Sequence, residues 1–407
     1  MPTDNRASAP LRTDDAPLSE GARGERVSSG GEGPFRLRAL RSRGARPKRD
    51  RHSRKRVAFF RYSYYDIAFK FFVEHVLDAD FVALPEATKR TIELGSRHSS
   101  DFVCAPFKHI LGDYIEALER GADVLVQFAG PCRLGYYGEL QESILRDMGY
   151  EFEMLNFATA TGKPAKEYVE LCKKKINPNV SIPRGVRNML AVFKMIEFLD
   201  EANDFYLANA GFEREPGRFA RTREAYFNEM RAATCEKDIV VAHAAGMAEF
   251  RAIPLDQPDR RVRVGLVGEY FTAADPTSNL GVEQKLLDMH VELARAMNMT
   301  NRNLRYREKN LRASISDYVR YDMGPTSSLT IASALKYAQE GFDGVVHLKS
   351  SGCTPEVDCV PVLQRMSRDT GMPILYLSYD SQTSDTGLDT RLEAFYDMLS
   401  MKKEKSR

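Results

Sequence analysis

Three cysteines share one local setting at distant points of the chain: Cys104 in DFVCAPFK, Cys132 in VLVQFAGPCRLGYYGE and Cys353 in GVVHLKSSGCTPE. Each follows an apolar, β-rich run and precedes a Pro or Gly turn that opens a helical pattern. A thiol placed just before a helix N-terminus feels the positive end of the macrodipole and the unpaired backbone N–H groups there, and both lower its pKa. Pro106 and Pro355 stand at first-turn positions of the helices that follow, while Pro131 and Gly135 bracket Cys132 and leave room for a bulky inorganic group. Three thiols brought to the carboxyl-end rim of an α/β sheet would be three legs of a metal or iron–sulfur site. The competing reading is packing, because free Cys is among the most buried residue types. Separations of 28 and 221 residues, with no CxxC anywhere, match no local zinc or ferredoxin signature.

The elements that would position these thiols are legible as an alternation. VAFFRY reads as a strand, YYDIAFKFFVEHVL as a helix, FVAL as a strand and TKRTIELG as a helix. DFVCA is expected as a strand, KHILGDYIEALERG as a helix, ADVLVQFAG as a strand, GYYGELQESILRDMG as a helix and YEFEMLNF as a strand. Strands alternating with helices of this length imply parallel βαβ crossovers. From Lys163 the long runs carry helical periodicity with few strand signals between them. The alternation restarts at RVRVGLVGEYF, continues through NLGVEQKLLDMH with Asn279 as N-cap, SLTIASALKYAQEG, FDGVVHLKS, a helix broken or kinked near Pro361 and MPILYLSYD, and closes on LDTRLEAFYDMLS. The fold expected is α/β: two Rossmann- or flavodoxin-like parallel-sheet domains at 57–162 and 259–401, a helical insert at 163–258, a disordered basic tail at 1–56 and a charged end at 402–407.

Composition narrows the class. The chain has 407 residues, 43% hydrophobic and 29% charged, enough to bury a large core. Its net charge of +2 hides an asymmetry: residues 1–56 hold 15 Lys and Arg against 7 Asp and Glu, while the remainder holds 44 against 50. The tail is rich in Gly, Ser, Arg and Pro and too poor in large apolar residues to offset chain entropy. It reads as a solvated extension, with a weak contact to nucleic acid or another anionic surface as the alternative. No run nears the roughly 18 apolar residues of a membrane span, no secretory h-region opens the chain, and six thinly spaced cysteines suit a reducing compartment, so the expected location is the cytoplasm.

The segments VCAPFK, GPCRLGYYGELQ, VGEYFTAADPTSNLGVEQKL, GFDGVVHLKSSGCTPE and YLSYDSQTSDTGLDTRLEAF resemble those of the 2-hydroxyacyl-CoA dehydratase superfamily. Within it they resemble the branch described as acyl-CoA dehydratase activase-related or CoA-substrate-specific enzyme activase-related proteins, to which double-cubane cluster proteins are akin. The likeness runs in the family's order over about residues 56–400. It implies an iron–sulfur cluster held by cysteines between two α/β domains, of [4Fe-4S] type rather than double-cubane, with Cys104, Cys132 and Cys353 at the family's ligand positions. It also implies low-potential electrons from a separate ATP-hydrolysing activator, which in the dehydratases enter a 2-hydroxyacyl-CoA thioester to form a ketyl radical that expels hydroxide. A homodimer or hetero-oligomer is implied by the same likeness.

Other residues carry weaker signals. Cys359 is a candidate fourth ligand, although six residues beyond Cys353 on a helix it points about 240° away; Cys172 and Cys235 lie in the helical insert. Glu139, His109 and Tyr137 are candidate proton-handling groups, with rim packing as the alternative. Arg133 flanks the Cys132 turn, Glu356 could cap a helix dipole, Lys108 could steady an anion, and turn chemistry accounts for Asp380 and Asp385. There is no GxxxxGK[ST] loop, and VGLVGEYF lacks full GxGxxG spacing, so no nucleotide site is expected on this chain. Two readings stand: a cluster-bearing redox protein or dehydratase-type enzyme, and a cluster-free binding or assembly subunit of the same architecture.

Overall fold

Among the described residues, eight short strands form two four-stranded sheets, and every pairing within those sheets is parallel. In the computed structural model, which describes residues 54–128, 132, 136–157, 165–301, 308–381, 383 and 385–405, the first sheet holds β1 (Arg56–Phe59), β2 (Asp80–Phe81), β3 (Val124–Phe128) and β4 (Glu153–Phe157) in the order β2-β1-β3-β4. The second holds β5 (Val262–Gly268), β6 (Val291–Arg295), β7 (Gly344–Ser350) and β8 (Ile374–Tyr379) in the order β6-β5-β7-β8. The expected basic tail falls almost wholly outside the described residues, as do Pro131, Arg133 and Gly135. Everything described belongs to one compact unit, Lys48–Arg407.

The inner strands are near-continuous apolar runs. VLVQF in β3 and GVVHLKS in β7 are buried along almost their whole length, as parallel strands covered on both faces require. The covering helices of the first sheet are α1 (Asp66–Phe71), α2 (Lys89–Arg97), α3 (Ala105–Glu119) and α4 (Tyr137–Asp147). Four helices follow without an intervening strand: α5 (Ala165–Lys175), α6 (Ile182–Asn209), α7 (Arg218–Ala232) and α8 (Glu236–Arg251). The second sheet carries α9 (Tyr270–Ala274), α10 (Val282–Asp288), α11 (Glu308–Ser314), α12 (Gly324–Gln339), α13 (Thr354–Thr370) and α14 (Leu388–Lys405). In each sheet the order reverses beside its first strand, between β1 and β3 and between β5 and β7. Those reversals are the switch points outside which α/β proteins bind ligands.

The two halves are joined by a buried polar and aromatic seam. Tyr62 donates its hydroxyl to the Tyr270 carbonyl at 3.1 Å and stacks on Phe271 with ring centroids 5.7 Å apart. Asp200 of α6, itself buried, accepts from the Tyr64 and Tyr65 hydroxyls at 2.7 and 2.6 Å and from the Thr300 N–H at 2.9 Å. One carboxylate thus ties together the first sheet's loop, the helical segment and the second sheet. Three donors satisfy it, as a buried polar group requires.

Four local expectations are corrected. DFVCA is not a strand: Asp101–Cys104 forms a turn between α2 and α3, with Phe102 pointing into solvent, because no neighbouring strand is there to pair with it. Val291–Arg295 is a strand, β6, that the sequence reading does not separate from the helix before it. Gly281, in the left-handed conformation at φ 73°, is the residue preceding α10; Asn279 still supplies the cap, its Oδ1 accepting from the N–H groups of Gly281 and Val282. Of the break or kink expected near Pro361, the break is absent: α13 runs continuously from Thr354 to Thr370, with Cys359, Leu363 and Met366 on its buried face.

Candidate functional site

The cysteines are delivered by corresponding features of the two sheets. Cys132 lies four residues beyond β3 and Cys353 three beyond β7, and β3 and β7 occupy the same place in their sheet orders. Cys104 is the residue preceding α3, in extended backbone at φ −63° and ψ 154°, with Pro106 in the first turn; Cys353 stands likewise before α13, with Pro355 in its first turn. The rims meet directly. The buried Ala105 N–H donates to Ser350 Oγ at 2.8 Å. A Cβ added at Gly352 would stand 3.3 Å from both N and Cα of Cys104, so the segment leading into Cys353 rests on the backbone of Cys104.

The helix-terminal donors are where the sequence puts them, but they do not set the balance. Backbone N–H groups of Phe107 and Glu356 hydrogen-bond the sulfurs of Cys104 and Cys353 and favour their thiolates. Burial outweighs this. It pushes the Cys104 thiol up to about 11, against the Tyr137 hydroxyl at 3.3 Å that pulls it down, with the Glu269 carboxylate and Cys132 adding to the rise. Burial also lifts Cys353 well above its ordinary range, followed by Glu269, Glu356 and Cys104. For Cys104 and Cys353 the expectation of a lowered thiol pKa is therefore corrected: desolvation outweighs the helix-terminal donors. Cys104 feels the charge of Cys132, and Cys353 that of Cys104, so the three thiols share one electrostatic neighbourhood.

Among the described residues, no group of three or more His, Cys, Asp or Glu side chains is gathered closely enough to hold a metal ion. A single tetrahedral ion needs sulfurs at about 2.3 Å from one centre; a cluster needs its thiolates farther apart. All six cysteines are free thiols. Soft thiols, with backbone N–H groups bonded to two of the sulfurs, are the donor chemistry of an iron–sulfur cluster.

Each remaining candidate has a definite place. Cys359 is fully buried, its S–H directed to the carbonyls of Pro355 at 3.1 Å and Ser327 at 3.7 Å. Cys172 is buried in α5 with its thiol pushed up to about 11 by burial, and Cys235 is exposed at the start of α8. Tyr137 contacts Cys104 as above and sets its ring edge-on to Phe107 at 4.8 Å. Buried His109 is lowered to about 4 by desolvation and is therefore a neutral imidazole; its Nδ1 has no hydrogen-bond partner among the described residues. Glu139 lies exposed in the first turn of α4. Lys108 is buried, with Nζ at 3.3 Å from both the Asp101 carbonyl and Ser381 Oγ. Asp380 accepts from the Thr383 hydroxyl at 3.0 Å, the turn chemistry its sequence implies, and Asp385 approaches Lys285 at 3.8 Å.

Two features of the rim escape sequence reasoning. Glu356 stands in the first turn of α13, where an acid suits the helix dipole, but it is also fully buried, accepting from His347 Nε2 at 2.7 Å and from Thr330 Oγ1 at 3.0 Å. A histidine in the middle of the buried strand β7 is the available signal. Glu269, one residue past β5 at the second switch point, folds its carboxylate back onto the N–H groups of Phe271 and Thr272 and the Thr272 hydroxyl, and burial raises its pKa. It is positioned there by Gly268, whose φ of 135° and whose absent Cβ, 1.9 Å from the Leu348 carbonyl oxygen, admit only glycine.

Two parallel α/β sheets that meet at a cysteine-bearing rim define a two-lobed α/β protein with a candidate cofactor site between switch points. Residues 278–399 match the family model of 2-hydroxyglutaryl-CoA dehydratase, D-component. The matched stretch begins before α10, ends in α14 and contains Cys353 and Cys359, and it supports a place in the 2-hydroxyacyl-CoA dehydratase superfamily. No curated protein matches the chain. Among the described residues, no helix is long and apolar enough to cross a membrane.

Proposed function

We propose that this chain is a component of a 2-hydroxyacyl-CoA dehydratase-type system, of the activase-related branch, that holds one [4Fe-4S] cluster through Cys104, Cys132 and Cys353. The reading rests on one observation above the others: the segments bearing Cys104 and Cys353, 249 residues apart in sequence, lie against each other at the junction of the two sheets. The family match over the second sheet supports it. When bound, the cluster supplies low-potential electron transfer, with an acyl-CoA as the acceptor in a dehydratase. The chain itself contributes thiol position and burial. The Phe107 and Glu356 N–H groups and the Tyr137 hydroxyl would stabilise thiolate charge, and the buried neutral His109 and buried Lys108 line the same region of α3. In this proposal electrons come from a separate ATP-hydrolysing activator in the cytoplasm, since no phosphate-binding glycine loop is present in the sequence.

Anaerobic purification followed by iron and sulfide analysis tests the proposal. About four iron and four sulfide per chain are expected, with a brown colour lost in Cys132→Ser and retained in Cys359→Ser. A colourless wild type that stays iron-free after anaerobic reconstitution overturns it. The lack of a metal-holding side-chain group among the described residues favours one second reading: a cluster-free binding or assembly subunit of the same architecture. That reading predicts the colourless outcome.

A further inference from the structure

Glu269 is a buried carboxylate, 5% exposed, with which no lysine or arginine pairs among the described residues. It follows β5 at the second switch point and stands between the two segments that bear Cys104 and Cys353. On one side its N–H donates to the Leu348 carbonyl at 2.8 Å, in the strand that leads to Cys353. On the other, Phe271 sets its ring edge-on to that of His109, with centroids 5.8 Å apart, in the helix α3 that Cys104 precedes. The buried ammonium of Lys108 on the same helix is engaged elsewhere, with the Asp101 carbonyl and Ser381 Oγ.

The hydrogen bonds of this carboxylate favour its ionised form. Oε1 accepts from the Phe271 N–H at 2.9 Å, and Oε2 from the Thr272 N–H and hydroxyl at 2.8 and 2.7 Å. Two of the three partners are backbone groups that can only donate, and all three oppose the rise that burial imposes. Capping alone needs no charge, because Ser, Thr or Asn serves before a helix, and α9 has only five residues to stabilise. What sets Glu269 apart from an ordinary cap is a negative charge kept away from water, where it acts on its neighbours far more strongly than in solvent. After burial, that charge adds to the rise of both Cys104 and Cys353, and for each it is the largest contribution from a charged group.

We propose that Glu269 is the fixed negative charge of the rim, opposing added electron density at Cys104 and Cys353 and thereby lowering the reduction potential of a cluster bound there. The inference rests on the cluster reading above and names the residue that tunes that site. Local charge and hydrogen bonds to the sulfurs are the levers by which a protein sets a cluster's potential. The Phe107 and Glu356 N–H groups raise it, and Glu269 works against them. One electron from an external low-potential reductant enters with no bond to the chain made or broken, so the neighbouring carboxylate disfavours the reduced form by its charge alone.

Two readouts on the full chain test this. In reduced, iron-free protein, alkylation by iodoacetamide at about pH 8 is followed at each cysteine by mass spectrometry. Glu269→Gln and Glu269→Ser, the second an ordinary neutral cap, are expected to alkylate at Cys104 and Cys353 about tenfold faster than the wild type. Glu269→Asp, which keeps the charge, is expected to match the wild type, and the buried Cys172 and Cys359 to be unchanged throughout. In anaerobically reconstituted protein, a dithionite titration followed by electron paramagnetic resonance is expected to show the two neutral variants reduced about tenfold more readily, a shift of about 59 mV for one electron. Wild-type alkylation rates in both neutral variants overturn the proposal, as does a Glu269→Asp variant that behaves like Glu269→Gln. An acceleration shared by Cys172 and Cys359 marks general loosening and overturns it, and so does a cluster that forms with unchanged potential. Faster rim thiols in a chain that never takes up iron uphold the charge of Glu269 at the thiols and overturn the cluster reading instead.

Discussion

Removing Glu356 should destabilise the second sheet by about 2–5 kcal/mol, the cost of stranding a buried hydrogen-bond donor together with that of the cavity left behind. Both Glu356 and His347 are fully buried, with Nε2 and Oε2 at 2.7 Å, and the second carboxylate oxygen takes the Thr330 hydroxyl at 3.0 Å. Glu356→Ala would leave the His347 imidazole N–H without an acceptor where water does not reach, would leave the Thr330 hydroxyl only the Gly268 carbonyl at 3.4 Å, and would open a cavity beside β7. The loss is large against a total stability of about 5–15 kcal/mol for an ordinary domain. His347→Leu should lose a similar amount. The double variant His347→Leu/Glu356→Leu should lose clearly less than the sum, because replacing both partners with apolar groups strands neither. Urea unfolding followed by circular dichroism gives the four corners of the cycle. A Glu356→Ala loss below about 1 kcal/mol, the worth of an exposed pair, or strict additivity in the double variant, refutes the reasoning.

Gly268→Ala should fail to give soluble folded protein, since its methyl would meet the Leu348 carbonyl at 1.9 Å with no flexible group to yield; a native-like melting profile would contradict this. Ser350→Ala orphans the buried Ala105 N–H and should cost about 1–3 kcal/mol in the same urea assay, with no loss if water replaces the hydroxyl. Asp113 is buried and its carboxyl raised well above 3.8, chiefly by burial and against the opposing Arg61 N–H at 2.9 Å. The folded state therefore holds its proton while the unfolded state releases it, so Asp113 costs stability increasingly as pH rises above about 4. Asp113→Asn should gain over wild type from pH 4 upward until the folded carboxyl ionises, and parallel stability–pH curves would refute that.

The alternation of strands and helices is local information, carried by apolar runs such as VLVQF and GVVHLKS and by capping and proline signals, so the α/β character and most elements follow from the sequence. Where a segment's state depends on neighbours, local reading fails: Asp101–Cys104 has strand-like composition and no strand to pair with, and Val291–Arg295 becomes a strand only because β5 lies beside it. The prolines mark the helix starts at Cys104 and Cys353, and the helix-terminal donors do reach both sulfurs. Whether those donors or desolvation control the thiols is a question of burial, which spacing does not encode.

Chain chemistry by itself thus determined the sheet-forming and helix-forming segments and singled out the thiols. Only tertiary structure decided that Gly352 presses on Cys104, that Ser350 receives the Ala105 N–H, and that Glu356 turns inward to His347. These are contacts between residues tens to hundreds of positions apart, and they arise because two independently twisted sheets dock at one seam. Nothing in the local sequence of either partner specifies the other.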